Sequence, residues 1–299
     1  MKNAIKYYYD IDVENIKKTK DEYKFYKNEI AYSLILADRT EEEINQLYEL
    51  VNNLHKLGIP CHQIIHNKSR NLLTSINNKN YILMRKYITI NDPITINDII
   101  SFGSKTTFNW DYSSLNRTNW KELWIQKLDY FEYLLGQIGI KYPRLTSTFS
   151  YYEGITENAI QLIGLYNVKK DGLICVSHKR ISFDTTLTDF YNPLNFIIDY
   201  RVRDIAEYLK QKNNIVEVGI DVVYYLLDTY ILSDDDKILF VIRMLFPSFY
   251  FDVYEKMLLS VNDEKLSLVG WSLLYENFIK KIYALVNTYI NLPNVEWLN

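Results

Sequence analysis

The sequence predicts an α+β chain of two lobes: a small β-rich N-lobe over residues 1–92 and a large helical C-lobe over 93–299. Three observations point there. Aromatic and aliphatic runs separated by polar, turn-forming stretches dominate the first 90 residues. A single helical period interrupts them at 38–60. From residue 95 onward apolar residues recur at helical spacing, broken by two short apolar runs at 173–176 and 195–199.

In chain order, "AIKYYYDI" (4–11) and "EIAYSLILAD" (29–38) read as strands bounding a polar middle. In 38–60 the apolar residues Ile44, Leu47, Leu50, Val51, Leu54 and Leu57 share one helical face. Thr40 before three glutamates marks the start of that helix and Gly58 its stop. "HQIIH" (62–66) and "YILMRKYITI" (81–90) return to strand character, with the turn-like "INNKN" before the second. The run 119–139 is a long amphipathic helix followed by Gly139 and Pro143. A second helix is expected from near Ile155. Further helices follow at 202–211, 219–232, 235–246, 250–260 and 264–290.

The chain of 299 residues carries a net charge of −3, which offers no basic field for a phosphate backbone and argues against nucleic acid as partner. The Lys-rich stretch 15–29 contains interspersed acids and reads as a solvated hairpin face. The 27 tyrosines, with abundant Asn, Ile and Lys, are what an AT-rich coding sequence produces. Exposed ones would still offer contact area at low entropy cost. No apolar run is long enough to span a membrane, and "MKNAIKYYYDIDVENIKK" lacks the apolar core of a signal peptide. Cys61 and Cys175, far apart in apolar contexts, suit a reducing compartment. A cytoplasmic protein is expected.

"YILMRKYI" (81–88), "SHKRISFDT" (177–185) and "FIIDYRVRDIAEYLK" (196–210) resemble, in order and spacing, the last N-lobe strand, the catalytic loop and the metal-binding strand of aminoglycoside phosphotransferase-like kinases. "WKELWIQKLDYFEYLLGQIG", "SYYEGITENAIQLI" and "DYRVRDIAEYLK" are similar to the kinase-like spore coat family of endospore-forming bacteria, the CotS/YutH group, and to its YutH branch in particular. The resemblance covers nearly the whole chain and is strongest between 119 and 210. It implies a bilobal protein-kinase-like fold, with the catalytic loop region at 173–210, and a role in the spore coat.

Phosphoryl transfer needs a close-fitting cover over the phosphates, a Lys that fixes them, Mg²⁺ ligands and a base that orients the nucleophile. No glycine precedes Gly58, so the first strands carry no glycine-rich loop. The third strand, where the Lys belongs, has none in "AYSLILAD"; Lys24 and Lys27 lie upstream and read as exposed hairpin lysines. The helix acid that would pair with such a Lys has Glu42, Glu43 and Glu49 as candidates. On the family's His-x-Asp-x4-Asn pattern His178 matches the His, Arg180 falls on the catalytic Asp and Thr185 on the metal-binding Asn. An Arg cannot accept a proton from a substrate hydroxyl, and a Thr is a poorer Mg²⁺ ligand than an amide carbonyl. Asp184 lies near enough in sequence to move into the site, though a surface or capping role suits it better.

Asp199 matches the family's metal-binding Asp and is the best-retained member of the kit. Alone it binds Mg²⁺ poorly, and a structural role is expected, either on backbone amides or paired with Arg201, Arg203 or Arg180. A swap in which Arg180 neutralises Asp199 would turn the metal site into an internal salt bridge. Asp204 and Glu207 resemble the acidic helix start that anchors the C-lobe. Cys61, His62 and His66 are close in sequence, but on a strand the two histidines stand about 13 Å apart, which argues against a metal site.

The expectation is therefore a catalytically inactive kinase-like protein of the spore coat. It would have no catalytic residue, metal or cofactor of its own and would work by binding other spore coat proteins. The rival is a divergent small-molecule kinase or ATP-binding scaffold that uses ATP and Mg²⁺ through Asp199. A third reading is a cytosolic interaction module unrelated to sporulation. Oligomeric state stays open.

Overall fold

A computed structural model describes residues 1–19, 22–108, 110–141, 143–166, 173–211, 219–231, 233–259 and 268–298. They form two compact units. The first comprises Met1–Ile94, Asp111–Asn116 and Asp184–Ile197, and the second Thr95–Trp110, Arg117–Phe183 and Ile198–Asn299.

The first unit is an antiparallel sheet accompanied by one long helix and shorter ones. Its strands are β1 (Ile16–Lys18), β2 (Glu22–Lys27), β3 (Ile30–Leu36), β4 (Gln63–Ile65), β5 (Leu73–Ile76) and β6 (Lys79–Lys86). They run in the order β1-β2-β3-β6-β4, with β5 also paired to β6. Asn77 and Asn78, both at positive φ, make the tight β5–β6 turn expected of "INNKN". Helix α2 (Glu41–Lys56) starts in a full capping box between Thr40 and Glu43 and is followed by Gly58 at φ 75°. Its residues Ile44, Leu47, Leu50, Val51 and Leu54 are buried, as their spacing requires.

The first segment departs from expectation. "AIKYYYDI" is not a strand but lies mostly in helix α1 (Lys2–Tyr9). Ile5 and Tyr9, four residues apart, enter the sheet core, and the Tyr9 hydroxyl meets that of Thr74 at 2.7 Å. Asp10 then ends the helix in the left-handed conformation, with its N–H on the Lys6 carbonyl. The strand preference of three consecutive tyrosines loses to burial of this one face.

The second unit is mainly helical: α3 (Ile96–Lys105), α4 (Trp120–Ile138), α5 (Pro143–Leu165), α7 (Arg203–Leu209), α8 (Gly219–Thr229), α9 (Asp234–Leu245), α10 (Ser248–Leu259) and α11 (Leu268–Val286). The short α6 (Leu187–Phe190), capped by Thr186, belongs to the first unit. Strands β7 (Ile174–His178) and β8 (Phe196–Tyr200) form a separate two-stranded sheet.

Helix α5 begins at Pro143, well before the expected Ile155. Phe149, Tyr152, Ile155, Ala159 and Leu162 are all buried and recur at three- to four-residue spacing. Packing along that stripe overrides the weak intrinsic helix preference of its Ser, Thr and Gly residues. The expected helix start at 264 lies outside the described residues. Helix α9 is buried from Asp236 to Leu245 and packs on α5, α7 and α11.

A largely buried ionic cluster ties α7 to α9 and α10. Glu207 Oε1 accepts from Lys210 Nζ at 2.8 Å and from Arg243 Nε at 2.7 Å, and Oε2 accepts from the Ser248 hydroxyl at 2.5 Å. Lys210 also donates to the carbonyls of Arg243 and Phe246. The two cations share the one carboxylate, and backbone carbonyls take up the remaining Lys210 donors, which keeps each buried charge hydrogen-bonded.

Candidate functional site

Strand β7 ends at His178, a buried residue fastened to the start of α7. Both Asp204 carboxylate oxygens accept from the His178 backbone N–H at 3.1 Å, and Oδ2 lies 2.6 Å from Nδ1. Arg203 clamps the same turn from beneath, donating to the carbonyls of His178 and Lys179. Asp204 thus anchors the loop, as its position implied.

Asp199, on β8, is 1% exposed. Its Oδ1 accepts from the Trp120 indole N–H and from the Tyr200 backbone N–H, each at 2.8 Å. Its Oδ2 has Arg203 Nε at 2.9 Å, an ionic contact without a directed hydrogen bond. Burial pushes the Asp199 carboxyl up to about 6, against the pull of Arg203 and Arg243. A divalent cation here would have to share one carboxylate with a guanidinium at contact distance, so the donor set does not suit Mg²⁺.

The Arg180–Asp199 swap is corrected. Arg180 points instead to α10, with Nη1 3.0 Å from Asp252 and Nη2 3.0 Å from Glu255. Lys127, on α4, approaches the same two carboxylates at 3.9 and 3.6 Å. Two acids on one turn of α10 give Arg180 an accessible, doubly charged partner, whereas Arg203 already lies four residues from Asp199 at the head of α7. Of the three arginines considered for Asp199, Arg203 is the one engaged; Arg201 goes to Asp236 at 2.6 Å. Asp184 and Thr185 belong to the first unit, where the Thr185 carbonyl accepts from Ile94 N–H at 2.9 Å.

The first unit holds a cavity of about 860 Å³ on the face of β1–β3 and the end of β6. Lys24, Ser33 and Lys86 line it. They converge on Glu22: Ser33 Oγ donates to Oε1, Lys86 Nζ donates to the same oxygen at 2.9 Å, and Lys24 Nζ stands 3.2 Å from Oε2. Burial alone would raise this carboxyl, but the Ser33 hydroxyl and the Lys86 and Lys24 ammoniums hold it below the usual carboxylate range. Of the candidate helix acids, Glu43 is taken up by the Thr40 cap and by Arg39 at 3.2 Å.

His62 and His66 go to separate tasks. His62 Nε2 meets the Thr188 carbonyl at 2.9 Å and Nδ1 accepts from Tyr87 N–H at 3.3 Å, and burial holds the ring neutral with its pKa down at about 4. His66 packs edge-on against Tyr48. Among the described residues no group of three or more His, Cys, Asp or Glu is placed to hold a metal.

Two features escape a linear reading. Glu22 and Lys86 are 64 residues apart and meet only because β2 and β6 both flank β3. Strand alternation could have placed Glu22 and Lys24 on one face, but not Lys86 beside them. Trp120 meets Asp199 across 79 residues, and nothing in its helical spacing marks it as a hydrogen-bond donor.

An antiparallel sheet unit followed by a helical unit with this strand–loop–strand element defines the aminoglycoside phosphotransferase-like kinase fold. Spectinomycin phosphotransferase, solved with ADP and spectinomycin, matches with a TM-score of 0.63 at 14% identity, covering 96% of this chain and 97% of that one. An aminoglycoside phosphotransferase from Alicyclobacillus acidocaldarius matches with a TM-score of 0.66 at 9% identity, covering 94% of each chain. The family described as "Spore coat putative kinase YutH" matches residues 2–275, and the chain belongs to that family. The endospore coat-associated protein YutH of Bacillus subtilis (strain 168) is 24% identical over 345 residues, covering 100% of this chain and 98% of the relative.

Proposed function

We propose that the chain is a catalytically inactive member of this kinase-like coat family. On this reading it is made in the mother-cell cytoplasm, is assembled into the spore coat, and works through contacts with other coat proteins. The observation that carries it is Arg180. On the family's motif pattern a permanently charged guanidinium falls where a proton acceptor is needed, and its two nitrogens are engaged with Asp252 and Glu255. The Arg203 guanidinium beside Asp199 supports the same reading from the metal side. The coat assignment rests on the family and on the Bacillus subtilis relative.

The test is incubation of the purified chain with γ-labelled ATP and Mg²⁺, alone and with aminoglycosides and small amino alcohols, with release and transfer of label followed together. No turnover above buffer is expected. Turnover that disappears in Asp199→Ala would overturn the proposal and establish the rival, a divergent kinase working through Asp199. That rival draws on one observation, the Asp199 Oδ2 that lacks a directed hydrogen bond. For the coat role, a fluorescent fusion followed through sporulation should ring the forespore; a signal confined to vegetative cytoplasm would sink it.

A further inference from the structure

We propose that Ser33, Lys24 and Lys86, on the wall of the cavity of the first unit, form an oxyanion site which the chain occupies with its own Glu22 carboxylate, so that phosphorylated ligands are shut out until that side chain is removed. The proposal deepens the reading of the chain as a kinase-like protein without phosphoryl transfer, and rests on it.

The groups around Glu22 are those that bind a phosphate: one hydroxyl, Ser33, and two ammoniums, Lys24 and Lys86. They reach it from three neighbouring strands. Ser33 stands opposite Lys24 in the β2–β3 register and beside Met84, two residues before Lys86, in the β3–β6 register, so Lys24, Ser33 and Lys86 share one face of the sheet. The Lys86 side chain is 11% exposed and that of Glu22 19%, so the charges meet in a partly desolvated place where an unmatched ammonium would be costly. The carboxylate answers that cost from within the chain.

The surroundings are suited to an anion. Lys17 and Lys27 also line the cavity and have no ion-pair partner among the described residues. The acids on the lining are Asp12, which is paired with Lys6 at 3.1 Å, and Glu14. A phosphate entering beside Glu22 would meet a fixed negative charge that already holds the donors. The same phosphate with Glu22 gone would meet Ser33, Lys24 and Lys86 unmatched.

The experiment is calorimetric titration of inorganic pyrophosphate, without divalent metal, into the full chain and three variants. Glu22→Ala vacates both the charge and the space, Glu22→Gln removes the charge alone, and Glu22→Ala/Lys86→Met removes a principal donor as well. Glu22→Ala should bind pyrophosphate at least about tenfold more tightly than the unaltered chain, Glu22→Gln should gain in the same direction, and Lys86→Met should abolish the gain. Far-UV circular dichroism and melting confirm that each variant is folded; Glu22→Gln, nearly isosteric, serves if Glu22→Ala does not fold. Equal affinity in the unaltered chain and the folded variants overturns the proposal, as does a gain that survives Lys86→Met. Phosphoryl transfer by the unaltered chain would instead defeat the inactive reading. Inert pyrophosphate titrations throughout, with no transfer, would defeat this inference alone.

Discussion

Arg203 Nε stands 2.9 Å from Asp199 Oδ2, with both residues buried at the junction of β8 and α7. The same guanidinium donates to the carbonyls of His178 and Lys179, so one side chain meets the buried Asp199 carboxylate and holds the turn that follows β7. Replacing Arg203 by Met should therefore cost roughly 3–5 kcal/mol, because it leaves a buried carboxylate without its counter-charge. Adding Asp199→Asn should recover part of that loss. Urea unfolding of the single and double variants measures both, and simple additivity would show that the two side chains do not act as a pair.

Asp199 also predicts a pH dependence. Its carboxyl is raised from 3.8 to about 6, so in that window the folded chain binds a proton that the unfolded chain does not. Its favourable contribution is present below about pH 4 and is lost as the pH rises through about 6. Relative to Asp199→Asn, the unaltered chain should lose roughly 3 kcal/mol of stability between about pH 4 and pH 7. Parallel stability curves for the two proteins would refute this.

Arg180 should matter little for stability. Its side chain is 60% exposed, and exposed ion pairs contribute about 1 kcal/mol or less. Arg180→Ala is expected to lower stability by no more than that, and the effect should fade in about 0.5 M salt. A loss several times larger would mean that the Asp252–Glu255 contact organises the fold.

The Glu207 cluster should behave in the opposite way. Glu207→Ala leaves Lys210 and Arg243 buried without their shared carboxylate, and a loss of about 3–5 kcal/mol or failure to fold is expected. Burial already depresses the Lys210 ammonium to about 8 despite Glu207, so Lys210→Met should cost less than Glu207→Ala. The two urea midpoints check the order.

At the start of α2, Thr40→Ala removes one half of a capping box and should cost about 1 kcal/mol, read from the shift in thermal midpoint. A Ser at the same position should restore most of it.

Much of this architecture was legible from residue order alone. The α2 period, its Thr40 start and Gly58 stop, the Asn77–Asn78 turn and the α4 stripe are local patterns, each set by residues within a few positions of one another. So was the presence of Arg180, two residues after His178, where the family pattern has an Asp. Two local signals misled. Tyr7 to Tyr9 favoured a strand until Ile5 and Tyr9 found a core to enter, and the Ser- and Thr-rich start of α5 hid a helix whose face is buried. The tertiary structure alone decided which charges meet. Arg180 was free by sequence to reach Asp199 but pairs with Asp252 and Glu255, over 70 residues away, and Glu22 closes on Lys86 across three strands. Periodicity is a property of neighbouring residues and survives in the sequence, whereas a salt bridge depends on where folding brings distant segments, and a linear reading does not contain that.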